Sequence, residues 1–245
     1  MNTHCNILGY KITTLGVKDL VEVAFSSDKL TIINTLNPHS YIESKRDPIF
    51  EEALKNSDFL IPDGSGISLA EKIIHGKKIN KIAGYDLFKE IMQKLNLEGG
   101  RVFFLGSSDD VLSKIIHKAR KEYPNVKVKT LSPPYKSIFS EEDIATFVES
   151  ICAFKPEVLF VGLTAPKQEK LILQMRGLID AKVVSGIGAV FDFYAGTVKR
   201  PNHIWIKLHL EWFVRFLGDP RRLWKRNFIS TPLFLLDVIK CKARL

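Results

Sequence analysis

Cysteine is scarce in this 245-residue chain: Cys5, Cys152 and Cys241 are odd in number and far apart. That excludes a disulfide framework and fits a reducing compartment. Neither the cysteines nor the six histidines fall at metal-ligand spacing, so no metal site is expected. The Gly-x-Gly-x-x-Gly and P-loop patterns are missing, and no cofactor is expected. Residues 1–16 lack the long apolar core of a signal peptide. No run reaches the ~20 apolar residues needed to span a bilayer. The longest candidate, 228–239, is broken by Pro232 and Asp237. These absences predict a cytoplasmic protein, or one attached peripherally to the inner face of the cell membrane. Internal repeats and low-complexity linkers are absent too.

What is present is unevenly placed. Of 36 basic residues, eleven lie at 199–245 beside only three acids, Glu211, Asp219 and Asp237, a local net charge of +8 out of +9. All three tryptophans, Trp205, Trp212 and Trp224, fall there as well. A break near Arg200-Pro201 therefore divides a neutral body, 1–198, from a basic aromatic helical appendage, 199–245. Trp205, Leu208, Trp212 and Phe216 share one helical face, beside Lys207, Glu211 and Arg215 at i, i+4 spacing. Such a tail can bind nucleic acid, dock on an anionic membrane, grip a diphosphate, or simply pack on its own core. Aromatic side chains striped beside the charges favour an interfacial helix, each Lys or Arg near anionic lipid contributing ~1 kcal/mol. Nucleic acid is not an expected partner.

The body alternates strand and helix patterns. Strands are predicted at 7–12, 30–35, 59–61, 101–105, 126–131, 158–163 and from 183 onward, with 126–131 alternating valine and lysine as an edge strand does. Helices are predicted at 19–25, from Pro38, at 47–56, at 67–74 with Gly76 as C-cap, after Gly84, at 111–122 and at 140–154. Strands alternating with helices imply right-handed crossovers and a mostly parallel α/β sheet flanked by helices.

In such sheets ligands lie beyond the carboxyl ends of the strands. Asp63 stands there, followed by Gly64 and Gly66, and reads either as a helix cap or as a reacting carboxylate. Thr35, Asn37 and the run Pro166-Lys167-Gln168-Glu169 occupy two more strand ends that can converge on it. Gly186 and Gly188 let a backbone approach what a Cβ would block. The turn Gly106-Ser-Ser-Asp-Asp110 is only loosely like a phosphate loop, and Asp109 and Asp110 read as helix-dipole partners.

Together these pieces resemble the WecG/TagA/CpsF glycosyltransferase family (glycosyltransferase family 26). The motifs are Thr35-x-Asn37, Asp63-Gly64-x-Gly66, Gly84-x-Asp86-Leu87, Phe104-Leu105-Gly106, Ala165-Pro-Lys-Gln-Glu169, and 186–196 with its Gly186, Gly188, Asp192 and Gly196. Two more lie in the tail, Leu210-Glu-Trp-x-x-Arg215 and Pro220-Arg-Arg-Leu-Trp224. The resemblance implies a Rossmann-like core and an inverting, metal-independent transferase. Its donor would be a UDP-sugar, commonly of N-acetylmannosamine or its uronic acid. Its acceptor would be a polyprenyl-diphosphate-linked saccharide at an anionic membrane surface, for cell-surface polysaccharide synthesis. Family members can form dimers or trimers, so a homo-oligomer is among the expected states.

Carried over residue by residue, the resemblance makes Asp63 the base, with Thr35, Asn37 and Gln168 orienting the sugars. Tyr135 and Asp192 would contact the nucleotide, and Arg215, Arg221, Arg222 and Arg226 would stabilise the departing diphosphate. Lys81 stands where the family usually has arginine, keeping the charge but losing the bidentate fork. Thr164, Pro201-Asn202 and His209 also depart from the pattern, around the crevice and the tail hinge. A non-catalytic nucleotide-sugar or lipid-binding module is the rival reading.

Overall fold

In a computed structural model, residues 3–198, 211–218 and 220–244 are described, apart from the side chains of Glu211, Trp212, Val214, Arg215 and Arg222. Trp205, Leu208 and His209, with the rest of 199–210, therefore lie outside the described residues. The fold is α/β, as the alternating pattern predicts. Eight strands form one sheet in the order β1-β2-β4-β3-β8-β7-β5-β6. They are β1 His4–Ile7, β2 Tyr10–Thr13, β3 Thr31–Leu36, β4 Phe59–Pro62, β5 Arg101–Gly106, β6 Lys127–Leu131, β7 Val158–Gly162 and β8 Val183–Gly186. Every pairing is parallel except β1 with β2.

That exception corrects the single strand read at 7–12. The chain reverses at Leu8 (φ 51°) and Gly9 (φ 88°), and Gly9 donates its N–H to Asn6 Oδ1 at 2.9 Å. Two consecutive positive-φ residues make the tight hairpin turn that matches strand twist. Leucine is a poor advertisement for such a turn, which is why the pattern reads as continuous.

The helices are α1 Val17–Ser26, α2 Pro38–Ser44, α3 Pro48–Lys55, α4 Ser65–His75, α5 Gly84–Glu98, α6 Asp109–Glu122, α7 Glu141–Phe154, α8 Lys167–Met175 and α9 Val190–Ala195. Among the described residues three more follow: α10 Glu211–Gly218, α11 Pro220–Trp224 and, after a π-helical turn Lys225–Ser230, α12 Thr231–Lys242. Side chains alternate along each strand, so each strand feeds two layers. Val102, Phe104 and Phe160 pack with α1, α5, α6 and α9. Phe103, Leu105 and Leu159 pack with α7 and α8. Burial on both faces explains the unbroken apolar runs.

A third cluster unites β1, β2, β4 and α2 to α4 with the end of the chain. Phe234 and Val238 of α12 are fully buried with Ile67, Ala70 and Ile74 of α4. Pro232, read as a break, sits in the first turn of α12, where no N–H is needed. Asp237, the other supposed interruption, accepts hydrogen bonds from Tyr41 Oη (3.2 Å) and Lys45 Nζ (2.8 Å). Thus 199–245, set apart by composition, includes a helix that completes the core.

Candidate functional site

All the parallel strands end along one edge. Leu36 is paired with Pro62, Val161 with Gly186 and Gly106 with Gly162. The candidate residues therefore fall in a row, and from β4 to β7 the row spans three inter-strand spacings, about 14 Å.

Two local devices lock its first half. Asn37 caps α2: its Oδ1 accepts from the N–H groups of His39 and Ser40, both at 3.0 Å, and Ser40 Oγ accepts from Asn37 N–H. Proline at the first turn fits this start. Asp63 donates its own N–H to Leu36 O at 2.9 Å. Gly64 takes φ 84° ahead of α4, a conformation that favours glycine. A Cβ on Gly66 would lie 2.4 Å from Pro38 Cγ. Absence of that atom lets α4 start directly against α2, which draws the Asn37 and Asp63 motifs together. Thr35 is half-buried, one residue before the end of β3. Lys81 runs alongside, since the next residue, Ile82, donates its N–H to Pro62 O at 3.1 Å.

The far end of the chain joins this half. Arg226 Nη2 lies 4.0 Å from Asp63 Oδ2, with both side chains about a third exposed. Lys225 pairs with Glu43 at 3.0 Å, and His39 Nδ1 meets Ser230 Oγ at 2.9 Å. Burial first, with help from Arg226 and Lys225 against Glu43, holds His39 below the usual histidine range.

The second half is drier. Gln168 is buried; its Nε2 donates to Glu169 Oε1 at 2.8 Å, and its Oε1 accepts the Gly188 N–H at 3.0 Å. A Cβ on Gly186 would stand 3.0 Å from both Gln168 Nε2 and Asn34 Oδ1. What fills the space left by that glycine is thus the Gln168 amide. Gly106 (φ 129°) has a similar cause, because a Cβ there would meet the backbone of Gly162 at 2.5 Å. Glu169 is fully enclosed, and burial pushes its carboxyl up to about 7. Its Oε2 and Asn34 Oδ1 are buried acceptors with no hydrogen-bond donor.

Outside these halves, Tyr135 is completely exposed on the loop between β6 and α7. Lys167 pins that loop: its Nζ donates to Lys136 O and lies 3.9 Å above the Phe139 ring. Burial lowers the affinity of Lys167 for its proton. Asp192 Oδ1 accepts from Thr197 Oγ1 at 3.4 Å in the first turn of α9. Arg221 is exposed on α11.

The structure thus brings Thr35, Asn37, Asp63, Lys81 and Arg226 into one half-site, and Gly106, Gln168, Gly186 and Gly188 into the other. Four residues were not singled out as site residues from sequence: Asn34, His39, Lys167 and Glu169. Glu169 and Lys167 stood within a noted motif, and the signal for Asn34 was a polar residue inside an apolar strand. Chemically, the first half offers a carboxylate to take a proton and a guanidinium to face an anion.

The sequence model of the Glycosyl transferase WecG/TagA/CpsF family matches residues 5–245. Similar proteins include the N-acetylglucosaminyldiphosphoundecaprenol N-acetyl-beta-D-mannosaminyltransferase of Bacillus subtilis (strain 168), 34% identical over 223 residues, which are 91% of this chain and 84% of that protein. The protein of the same name from Bacillus spizizenii is 33% identical over 227 residues, 93% of this chain and 86% of its own. That from Staphylococcus aureus (strain MW2) is 27% identical over 245 residues, covering 98% and 94%.

Proposed function

The chain belongs to the WecG/TagA/CpsF glycosyltransferase family, and from that premise we propose that it transfers N-acetylmannosamine, or a related hexose or uronic acid, from a UDP-sugar to a polyprenyl-diphosphate-linked saccharide. The polymer served is a cell-surface polysaccharide. The observation that carries this reading is the Asp63 carboxylate at a strand end with the Arg226 guanidinium 4.0 Å away.

Asp63 takes the proton of the acceptor hydroxyl as that oxygen attacks the anomeric carbon of the donor. The bond from that carbon to the diphosphate breaks on the opposite side, and its electron pair leaves with UDP. Attack from the far face inverts the configuration. The charge that develops on the leaving diphosphate is met by Arg226, with Arg215, Arg221, Arg222 and Lys81 as further cations. Lys81 supplies a point charge in place of a fork. Thr35 and Asn37 orient the sugars beside Asp63. Because Asn37 Oδ1 is spent on the α2 cap, its amide nitrogen is the part left for a sugar hydroxyl. Gln168 acts through the Gly188 loop that it holds, and Tyr135 and Asp192 serve the nucleotide.

No helix among the described residues is long and apolar enough to cross a membrane. On the proposed reading, 199–245 docks on the anionic inner face of the membrane, where a lipid-linked acceptor resides. Support comes from the face of α11, the π turn and α12 that carries Trp224, Phe228, Leu233, Leu236 and Ile239 exposed, beside Arg221, Lys225 and Lys240.

The test is UDP release from UDP-N-acetylmannosamine, with and without a lipid-diphosphate-linked N-acetylglucosamine. Release that depends on the acceptor is expected, and Asp63→Asn is expected to lower it about 10²–10⁴-fold, as loss of a general base does. Wild-type turnover by that variant removes the assignment of Asp63. No release by the wild type from any of a panel of UDP-sugars favours a binding module.

A further inference from the structure

The contact between His39 and Ser230 joins residues 191 positions apart at the edge of the proposed site. Ser230 is fully buried, so its hydroxyl has no water to turn to. It closes the π turn Lys225–Ser230, a rare element that recurs at functional sites. Residues four apart on a helix lie one above the other, so Ser230 and Arg226 share a side of this turn. The same spacing puts His39 and Glu43 on one side of α2, where Glu43 takes Lys225 at 3.0 Å. A further bond from Thr231 Oγ1 to Arg226 O, 3.0 Å, ties off a carbonyl of the widened turn.

From this interlock we infer that His39 is a positioning residue: by fixing Ser230 it sets the rotation of the π turn and so aims Arg226 at Asp63. The inference rests on the roles proposed above for Asp63 and Arg226. An arginine carried on a segment so remote in sequence takes its register from tertiary contacts, of which the His39–Ser230 bond lies closest to the turn that bears it. A rotation of the turn by one residue would swing its guanidinium away from the carboxylate, and Lys225, paired to Glu43 on a long flexible stem, tolerates such a slip. The short imidazole–hydroxyl contact does not. Burial keeps the imidazole neutral near pH 7, able to donate or accept at Nδ1 without adding charge beside Arg226.

Asparagine carries its amide where histidine carries Nδ1, whereas phenylalanine keeps the ring and loses the bond. The experiment therefore compares His39→Phe, His39→Asn, Arg226→Ala and the double variant His39→Phe/Arg226→Ala. Acceptor-dependent UDP release is measured, together with backbone hydrogen exchange across 225–231. His39→Phe is expected to lower kcat/KM about 10–10²-fold, as misplacement of a charged group does, while His39→Asn stays within a few-fold of wild type. The double variant is expected to be no slower than Arg226→Ala alone, because His39 acts through Arg226. Exchange at 225–231 is expected to quicken in His39→Phe and not in His39→Asn. Wild-type turnover in His39→Phe, or losses that multiply in the double variant, overturns the inference. Should the wild-type protein release no UDP, the transferase reading fails separately. Exchange then decides on the structural step alone: unchanged protection of 225–231 in His39→Phe refutes the fixing of the π turn by His39, and faster exchange upholds it.

Discussion

Glu169→Gln should make the protein more stable at alkaline pH than at acid pH, relative to wild type. In the native state the Glu169 carboxyl is enclosed, has one oxygen without a donor and titrates near 7 in place of its ordinary 4.5. The folded chain thus holds this proton more tightly than the unfolded chain does. Stability from the protonated acid is fully present below about 4.5, declines as pH rises, and is exhausted above about 7. Integrated from pH 5 to pH 8, the loss is about 2–3 kcal/mol in the wild type and absent in the glutamine variant, which has nothing to titrate there. Gln168 keeps an acceptor in the variant, because the new amide oxygen can take its Nε2–H. Urea unfolding followed by far-UV circular dichroism at both pH values reads the difference. With m near 3 kcal/mol/M the midpoint gap should change by roughly 1 M. Parallel shifts of the two proteins with pH, within about 0.5 kcal/mol, would show that Glu169 is not the buried acid described.

Other consequences are simpler. Gly66→Ala puts a Cβ 2.4 Å from Pro38 Cγ, and should destabilise by about 1–3 kcal/mol while slowing transfer, since α2 and α4 must part; thermal unfolding and UDP release check both. Phe234→Ala should cost about 3–5 kcal/mol in urea unfolding, because α12 is core and not decoration. A surface role for Phe234 would leave stability unchanged. Leu236→Glu, on the exposed side of the same helix, should leave folding intact yet weaken sedimentation with anionic vesicles by about tenfold or more, the scale of one buried leucine. Equal binding by that variant would contradict docking through α12.

Most of the sheet was legible because its central strands are covered on both faces, so they announce themselves as short apolar runs between glycines and caps. Helix ends were legible where a side chain does the capping: Ser108 accepts from Val111 N–H, and Ser140 and Asp143 form a reciprocal box. The hairpin at Leu8-Gly9 was not, because half of its turn signal is a leucine. Gly66 was read only as part of the strand-end motif after Asp63, whereas its close neighbour is a proline 28 residues upstream. Glu169 looked like an ordinary acid in the first turn of a helix, and nothing local says that packing around α8 seals it from water. Gln168 was visible as a motif residue, but its commitment to Glu169 and Gly188 depends on how β7 and β8 lie side by side.

The juncture of Asp63 and Arg226 shows why the site was only partly readable. Local patterns report on residues a few positions apart, while these two are separated by most of the chain and meet in a fold where α12 buries Phe234 and Val238 against α2 and α4. Composition drew a boundary near residue 198 because charge and tryptophan content change there. Burial ignores that boundary: the last helix is anchored by apolar contacts, by Asp237 to Tyr41 and Lys45, and by Lys242 Nζ to Ile74 O at 3.0 Å. The same helix presents Leu236 and Ile239 to solvent, so the element that fixes Arg226 at the carboxylate is also the one proposed to rest on the membrane. A segment with both jobs ties the base to the surface where a lipid-linked acceptor would arrive. It follows that loosening α12 from the core should impair transfer even where the docking face itself is untouched.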